Sequence, residues 1–429
     1  MLRLDSVAMY KLEILHNKTR LLLAPLKGTA TVTVLVLVKV GSRYEPAQLN
    51  GISHFIEHLL FKGTKKRPTS LDITKELDGV GADFNAFTGK DHTGYYIKTN
   101  QENLELALDV VSDMLFSSVF SETEIKKEVG VIIEEINMYE DNPVMMVDHV
   151  FDEAVFQGSS LANYIAGPKK NIRSITRHDI LNFFEANYSN DNVIVAIGGS
   201  FQETETIRLV NKYFKKREPH FDKSQYLPYQ SSQESPRVKL ITKATEQVHL
   251  ALGYPAYNIT DPRYYPLTLL AIILGGNMSS RLFLEIREKL GLAYYIHSAV
   301  SVYEDTGSLA IYAGLEKSNI HLAIKTIIKE LEQLVSRKAG PEEIKRAKEF
   351  IKGKLILKLE DGAQLVQWLA TQLLLKNKVE TLGEQIKKIE RVTAAEIQQA
   401  ASDVIRHSRL NLGMIGPYDD TNKILNILH

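Results

Sequence analysis

Two histidines four residues apart, with a glutamate just before the second, lie inside an otherwise apolar run, Gly51-Ile52-Ser53-His54-Phe55-Ile56-Glu57-His58-Leu59-Leu60-Phe61. In a helix, His54 and His58 stand one above the other and Glu57 shares their face. Ile52, Phe55, Ile56, Leu59, Leu60 and Phe61 would bury much of the same helix, and imidazoles and a carboxylate taken out of water need partners. A metal ion supplies them. Two neutral imidazoles suit Zn²⁺, and a free carboxylate one turn away can accept a proton from water that the ion has acidified. The plainer reading is a helix that happens to carry two histidines.

The chain has 429 residues and no cysteine, so thiolate sites and disulfides are excluded and any metal rests on His and carboxylates. Its length exceeds one ordinary core and implies two or more domains. With 52 basic and 52 acidic side chains there is no global excess of charge to attract nucleic acid or an anionic membrane, and neither partner is expected. No stretch is apolar enough for a membrane span. Met1-Leu2-Arg3-Leu4-Asp5 lacks the apolar core of a signal peptide, and the expected location is cytoplasmic.

Alternation over residues 9–24, around a His16-Asn17-Lys18 turn, and the β-branched run from Ala30 to Val40 predict strands, the second of them central. Helices are expected over Ser70 to Leu77, Gln101 to Phe116 and Ser121 to Tyr139, and Asp83 to Thr88 pairs in a hairpin with His92 to Ile97. On the third of these helices Glu128 and Glu135, seven apart, share a face with Ile125, Val129, Ile132 and Ile136, an unusual place for two carboxylates. Glu134 points elsewhere; it is a fallback ligand and otherwise faces solvent. His149 reads as a satisfied or solvent-facing histidine.

Residues 215–236 carry Pro219, Pro228 and Pro236 among Lys, Ser and Gln, and read as a linker between an N-terminal domain (1–214) and a C-terminal domain (237–429). The second half repeats the first. Thr176-Arg177-His178-Asp179-Ile180 and Gly198-Gly199 recur as Thr393-Ala394-Ala395-Glu396-Ile397 and Ile415-Gly416 at an offset of 217. An offset that large argues for two duplicated α/β domains and against a solenoid. The copies differ where it matters: Pro266 to Leu274, which corresponds to the His-bearing helix, holds no metal ligand. Gly275 to Tyr295 reads as a Gly-rich turn, a Ser-capped helix ended by Gly291 and an aromatic strand, without the Lys-Ser/Thr of a phosphate loop.

With these motifs in hand, the chain resembles the pitrilysin/insulinase family of zinc peptidases, whose signature is His-x-x-Glu-His, and within it the mitochondrial processing peptidase and its bacterial relatives. The likeness covers nearly the whole chain. The family's third ligand is a Glu in a Val-Ile-x-Glu type helix, at a spacing that falls here on Glu135, 77 positions past His58. The resemblance thus implies His54, His58 and Glu135 as ligands of one Zn²⁺, Glu57 as the base and Glu128 as a supporting acid. It further implies that Asn85, Ala86 and Phe87 pair with substrate backbone, and that Arg287 and Tyr294, seven apart, contact the peptide near the cut. Ser159 to Gly167 departs from a His-Pro-Leu-Gly-type segment frequent in the family.

The expected fold is α+β: two homologous domains, each a mostly antiparallel sheet packed with helices, enclosing a peptidase chamber for extended or unfolded peptides. Relatives of this size imply a homodimer, with Arg287 and Tyr294 serving across its interface; a monomer bringing its own halves together is the alternative. Two rival functions are a non-catalytic peptide-binding or assembly subunit and a zinc hydrolase of non-peptide substrates.

Overall fold

The β-branched run of the first half forms a central, fully paired strand in a computed structural model of the chain, which describes residues 10–217 and 222–428. The stretch read for a leader and Pro219 of the linker lie outside the described residues.

In chain order the first half contributes β1 (Lys11–Ile14), β2 (Arg20–Pro25), β3 (Thr31–Val38), α1 (Ile52–Leu60), α2 (Ser70–Asp78), β4 (Asp83–Thr88), β5 (Thr93–Asn100) and α3 (Leu104–Ser117). It continues with α4 (Glu122–Asp141), α5 (Pro143–Val155), α6 (Lys169–Ser174), α7 (Arg177–Asn187), β6 (Val193–Gly199) and α8 (Glu203–Tyr213). The described part of residues 222–236 has neither helix nor strand. Then come β7 (Arg237–Thr242), β8 (Gln247–Ala256), α9 (Tyr264–Gly275), β9 (Ala293–Val302), β10 (Gly307–Glu316), α10 (Ile320–Ser336) and α11 (Pro341–Leu359). The last elements are α12 (Gly362–Lys376), α13 (Leu382–Arg391), α14 (Ala394–Val404), β11 (Asn411–Gly416) and α15 (Thr421–Ile427).

The duplication is visible in the strand order. One sheet runs β1-β2-β6-β3-β5-β4 and the other β7-β11-β8-β10-β9, the same order once β1 is set aside. Each has a single parallel pair, β2 with β6 and β7 with β11, and is otherwise antiparallel. The repeated Thr motifs are helix caps. Thr176 and Thr393 each accept the N–H of the residue three on, and Asp179 and Glu396 return the bond, so α7 and α14 begin with the same capping box.

By contact the chain divides into two compact units, and neither is continuous in sequence. The first holds residues up to Ile136, Tyr164–Tyr226 and Lys354–Glu384; the second holds Asn137–Asn163, Leu227–Gly353 and Gln385 onward. Within the first unit α12, from the second half of the sequence, packs on β6 and β3. Within the second, α5 from the first half packs on β7, β8 and β11, so closely that a Cβ on Gly413 would lie 2.5 Å from the Phe151 nitrogen. Each sheet is thus covered by a helix from the opposite half of the chain.

In the first unit the even residues Val32 to Val38 of β3 join Phe55, Ile56, Leu59 and Leu60 of α1 in one buried cluster. No described helix is long and apolar enough to cross a membrane.

Candidate functional site

Helix α1 is buried by the apolar residues that its sequence led us to expect, but its start is secured by a residue that no periodic pattern marks. The N-cap is Gly51, at φ +104°, which has no side chain to cap with. Glu45, fully buried, does the capping from outside the helix: its Oε2 accepts the Gly51 N–H and the Asn50 amide, and its Oε1 accepts the Ser53 N–H, each at 2.8 Å. Burial pushes Glu45 up to about 7 against these donors. Three hydrogen bonds converging on one carboxylate fix the turn that carries His54.

His54 and His58 present their rings to each other edge-on, centroids 4.6 Å apart. Glu135, on α4, completes the group: its Oε2 lies 3.3 Å from His58 Nε2 and 3.6 Å from His54 Nε2. One ligand atom from each of the three falls within 4.8 Å of the others, the only such set of three or more among the described residues. Glu128, one face-repeat earlier on α4, receives His58 Nδ1 at 3.1 Å and Lys62 at 2.8 Å. This second carboxylate orients the His58 ring so that Nε2 faces Glu135. Glu134 is exposed, as its place on the helix requires.

The two histidines are driven in opposite directions by their surroundings. Burial and then the neighbouring His58 hold His54 down at about 4, so its ring is neutral at neutral pH. Burial also lowers His58, but its bonds to Glu128 and Glu135 outweigh that and carry it up to about 9. Glu135 is held low by His58. His54 Nδ1 is buried and has no hydrogen bond among the described residues, while its Nε2 has only the Glu135 oxygen beyond hydrogen-bond reach. An ion at Nε2 would give this ring the partner it lacks, and two imidazoles with one carboxylate are a donor set suited to Zn²⁺ with one position open.

Glu57 lies outside that set. Its Oε2 accepts the Thr88 hydroxyl, from the end of β4. Burial raises its pKa, Thr88 opposing. A carboxylate poised in this way suits general base work.

Asn85, Ala86 and Phe87 belong to β4, which pairs with β5 on one side and is the edge of its sheet on the other. The Ala86 N–H is taken up by the Asn85 side-chain oxygen at 2.8 Å. Phe87 lies flat across Gly94, where a Cβ would come within 2.3 Å of its ring.

In the second unit Arg287 and Tyr294 are brought together. The Arg287 guanidinium lies over the Phe283 ring at 4.9 Å and the Tyr294 ring at 5.7 Å, and Tyr294 is 73% exposed. The helix expected before Gly291 forms, but over Phe283–Lys289 it is wound as a π-helix, with Leu290 N–H bonded to the Glu285 carbonyl five residues back. Sequence periodicity does not distinguish this winding from an α-helix.

Residues 20–169 match the family model described as insulinase (peptidase family M16), and residues 174–351 match that of the peptidase M16 inactive domain. A curated relative from Streptomyces coelicolor, named an uncharacterized zinc protease, is 35% identical over 406 residues, covering 94% of this chain and 88% of its own. The chain belongs to the insulinase family. A second curated relative, from Bacillus subtilis and also named an uncharacterized zinc protease, is 34% identical over 94% of this chain and 97% of its own. The crystal structure of a protease from Helicobacter pylori superposes with a TM-score of 0.90 at 25% identity, over 96% of this chain and 100% of that one. The inactive-domain match, over residues 174–351, includes α9, which carries no ligand in place of α1's histidines.

Proposed function

We propose that the chain is a zinc-dependent endopeptidase that hydrolyses extended or unfolded peptides. One observation carries the reading: two histidine nitrogens and the Glu135 carboxylate converge on one point, with Glu57 beside them and free of the cluster. His54, His58 and Glu135 would hold Zn²⁺, which when bound supplies acidification of a water near neutral pH and polarisation of the scissile carbonyl. Glu57 takes the proton of the attacking water on its carboxylate and returns it to the leaving amine. Thr88 holds the Glu57 carboxylate in orientation from β4, and Glu128 fixes the His58 ring.

The edge of β4 is the natural place for a substrate strand, because main-chain hydrogen bonding recognises any extended peptide. Pairing there would displace the Asn85 side chain from the Ala86 N–H. Arg287 and Tyr294 are offered as donors to substrate carbonyls. A homodimer is proposed from the resemblance, and sedimentation velocity decides it.

The test is cleavage of a mixed library of unstructured peptides by zinc-loaded wild type and Glu57→Gln, read by mass spectrometry. Only wild type should cut, with both proteins binding zinc; His58→Ala should lose metal and cleavage together. If neither protein cuts though both bind zinc, the enzyme reading fails in favour of a peptide-binding subunit.

A further inference from the structure

Three carboxylates stand around the candidate metal group, Glu57, Glu128 and Glu135, and among the described residues only one of them is paired with a lysine. Glu135 meets the two histidines, and Glu57 meets the Thr88 hydroxyl. Glu128 divides its oxygens: Oε2 takes His58 Nδ1 at 3.1 Å and Oε1 takes Lys62 Nζ at 2.8 Å. The acid that only orients a ring is neutralised, whereas the two read as metal ligand and as base are not.

The loop that carries Lys62 is fastened on both sides. Helix α1 ends at Leu60, and the Lys62 N–H bonds the Leu59 carbonyl, which keeps Lys62 about one turn beyond His58. Gly63 follows at φ +131°, packed so closely that a Cβ would lie 2.3 Å from the Pro68 carbonyl oxygen. The Thr64 N–H bonds the Arg67 carbonyl, and the buried Arg67 guanidinium bonds Glu76 of α2 and Asp109 and Asp113 of α3. Lys62 thus reaches Glu128 from a fixed stretch of backbone, its side chain 29% exposed and that of Glu128 4%.

Charge decides what this contact does. A Zn²⁺ held by one carboxylate keeps about one net positive charge, the source of its pull on a water and on a carbonyl. An ionised Glu128 accepts the His58 N–H most strongly, yet its own charge, so near the centre, opposes the positive one that remains. Paired with Lys62, it forms a neutral unit that still presents an oxygen to Nδ1.

We propose that Lys62 is a positioning residue that lets Glu128 orient His58 without lending its negative charge to the metal centre. The inference rests on the reading of His54, His58 and Glu135 as zinc ligands. Lys62 Nζ is two hydrogen bonds and the width of a ring from His58 Nε2, and a unit charge about 8 Å away, partly screened by water, changes the affinity for a cation about fivefold. Zinc affinity is measured by competition with a chromogenic chelator on wild type, Lys62→Met, Lys62→Gln and Lys62→Arg. The Met and Gln variants should bind zinc about fivefold more tightly, and Lys62→Arg should match wild type. Lys62→Gln keeps a donor for Glu128 without the charge, so it separates charge from hydrogen bonding. Damage to the site would weaken binding, so the direction of the change is a readout that a merely structural role does not give. Weaker binding by Lys62→Met, equal binding by all four proteins, or tightening in Lys62→Met that is absent from Lys62→Gln overturns the proposal. With a cleaved peptide, kcat should fall about fivefold in the Met and Gln variants at unchanged KM and be kept by Lys62→Arg; an unmoved kcat also overturns it. A wild type that binds zinc and cleaves nothing defeats the endopeptidase reading and leaves the affinities to decide the role of Lys62, whereas one that binds no zinc defeats both.

Discussion

Glu45→Gln separates a residue that holds the candidate metal helix in place from one that merely fills space. The glutamate receives three donors, Gly51 N–H and the Asn50 amide on one oxygen and Ser53 N–H on the other. A glutamine can put its oxygen where two of them point, but its NH₂ then faces the Ser53 N–H, donor against donor. An unsatisfied buried donor costs about 1–3 kcal/mol, and we take about 2 kcal/mol. The first turn of α1 can relieve this by fraying, which takes His54 out of reach of Glu135. Zinc must then restore the turn before it binds, so 2 kcal/mol appears as about 30-fold weaker affinity. Competition with a chromogenic chelator measures it. In the metal-free protein the same loss lowers the thermal transition of the first unit by about 4–8 °C. A zinc affinity within about twofold of wild type, together with an unmoved transition, would refute the claim that Glu45 orders α1. A lowered transition with normal affinity would mean that Glu45 supports the unit without acting on His54.

Three further outcomes rest on single contacts. Glu45 reaches about 7 when folded through burial, against about 4.3 unfolded; between those values the folded chain keeps a proton that the unfolded chain has released, so stability falls as pH rises through this window, by up to about 1.4 kcal/mol per unit. The difference between the denaturant midpoints of wild type and Glu45→Gln, taken against pH, should show that slope; His54, held down at about 4 when folded, contributes an opposite slope that both proteins share. Thr88→Val removes the donor that opposes the burial-driven rise of Glu57, so the acid limb of kcat/KM against pH should move to higher pH; an unmoved limb means the Thr88 bond does not act on the base. Gly413→Ala forces a methyl to within 2.5 Å of the Phe151 nitrogen where α5 crosses β11, and should cost about 1–3 kcal/mol by overpacking, read as a lowered denaturant midpoint; an unchanged midpoint would show that α5 yields there.

How much of this could be read in the sequence depends on how local each signal is. The i, i+4 histidines and the seven-residue spacing of Glu128 and Glu135 are periodic on helices, and the structure brings all four side chains into one cluster. The duplicated Thr caps and the breaks after β6 and β11 are equally local, so the repeat is legible without the strand orders that display it. Glu45 is not legible: it lies in a loop before α1, and a buried carboxylate that caps a helix from outside has the same sequence appearance as an exposed one. The exchange of α5 and α12 is invisible for a different reason. Both sheets offer a similar apolar face, and amphipathic periodicity says that a helix has a buried side without saying which sheet receives it. The π-helical winding over Phe283–Lys289 leaves no mark either, since it differs from an α-helix by one residue in the span of each hydrogen bond.

The two copies of the fold also differ in the helix that carries the candidate site. In α1 the apolar residues Ile52, Phe55, Ile56, Leu59 and Leu60 are fully buried, while Glu57 and His58 keep partial exposure. That leaves one strip of the helix free for polar side chains. Helix α9, in the equivalent place, packs against β9 and α14 as α1 packs against β4 and α7, but every residue from Leu269 to Gly275 is buried, which leaves no such strip. An imidazole pair set into α9 would lose its hydration without a free carboxylate to receive it: on α11, the helix equivalent to α4, Glu343 lines the same cavity as Ile272 and Ile273 but is already paired with Arg281. Desolvation of the histidines would act against protonation and leave them without a partner. Replacing residues of α9 with histidines should therefore destabilise the second unit without creating a second metal site, read as a lowered denaturant midpoint and an unchanged zinc stoichiometry.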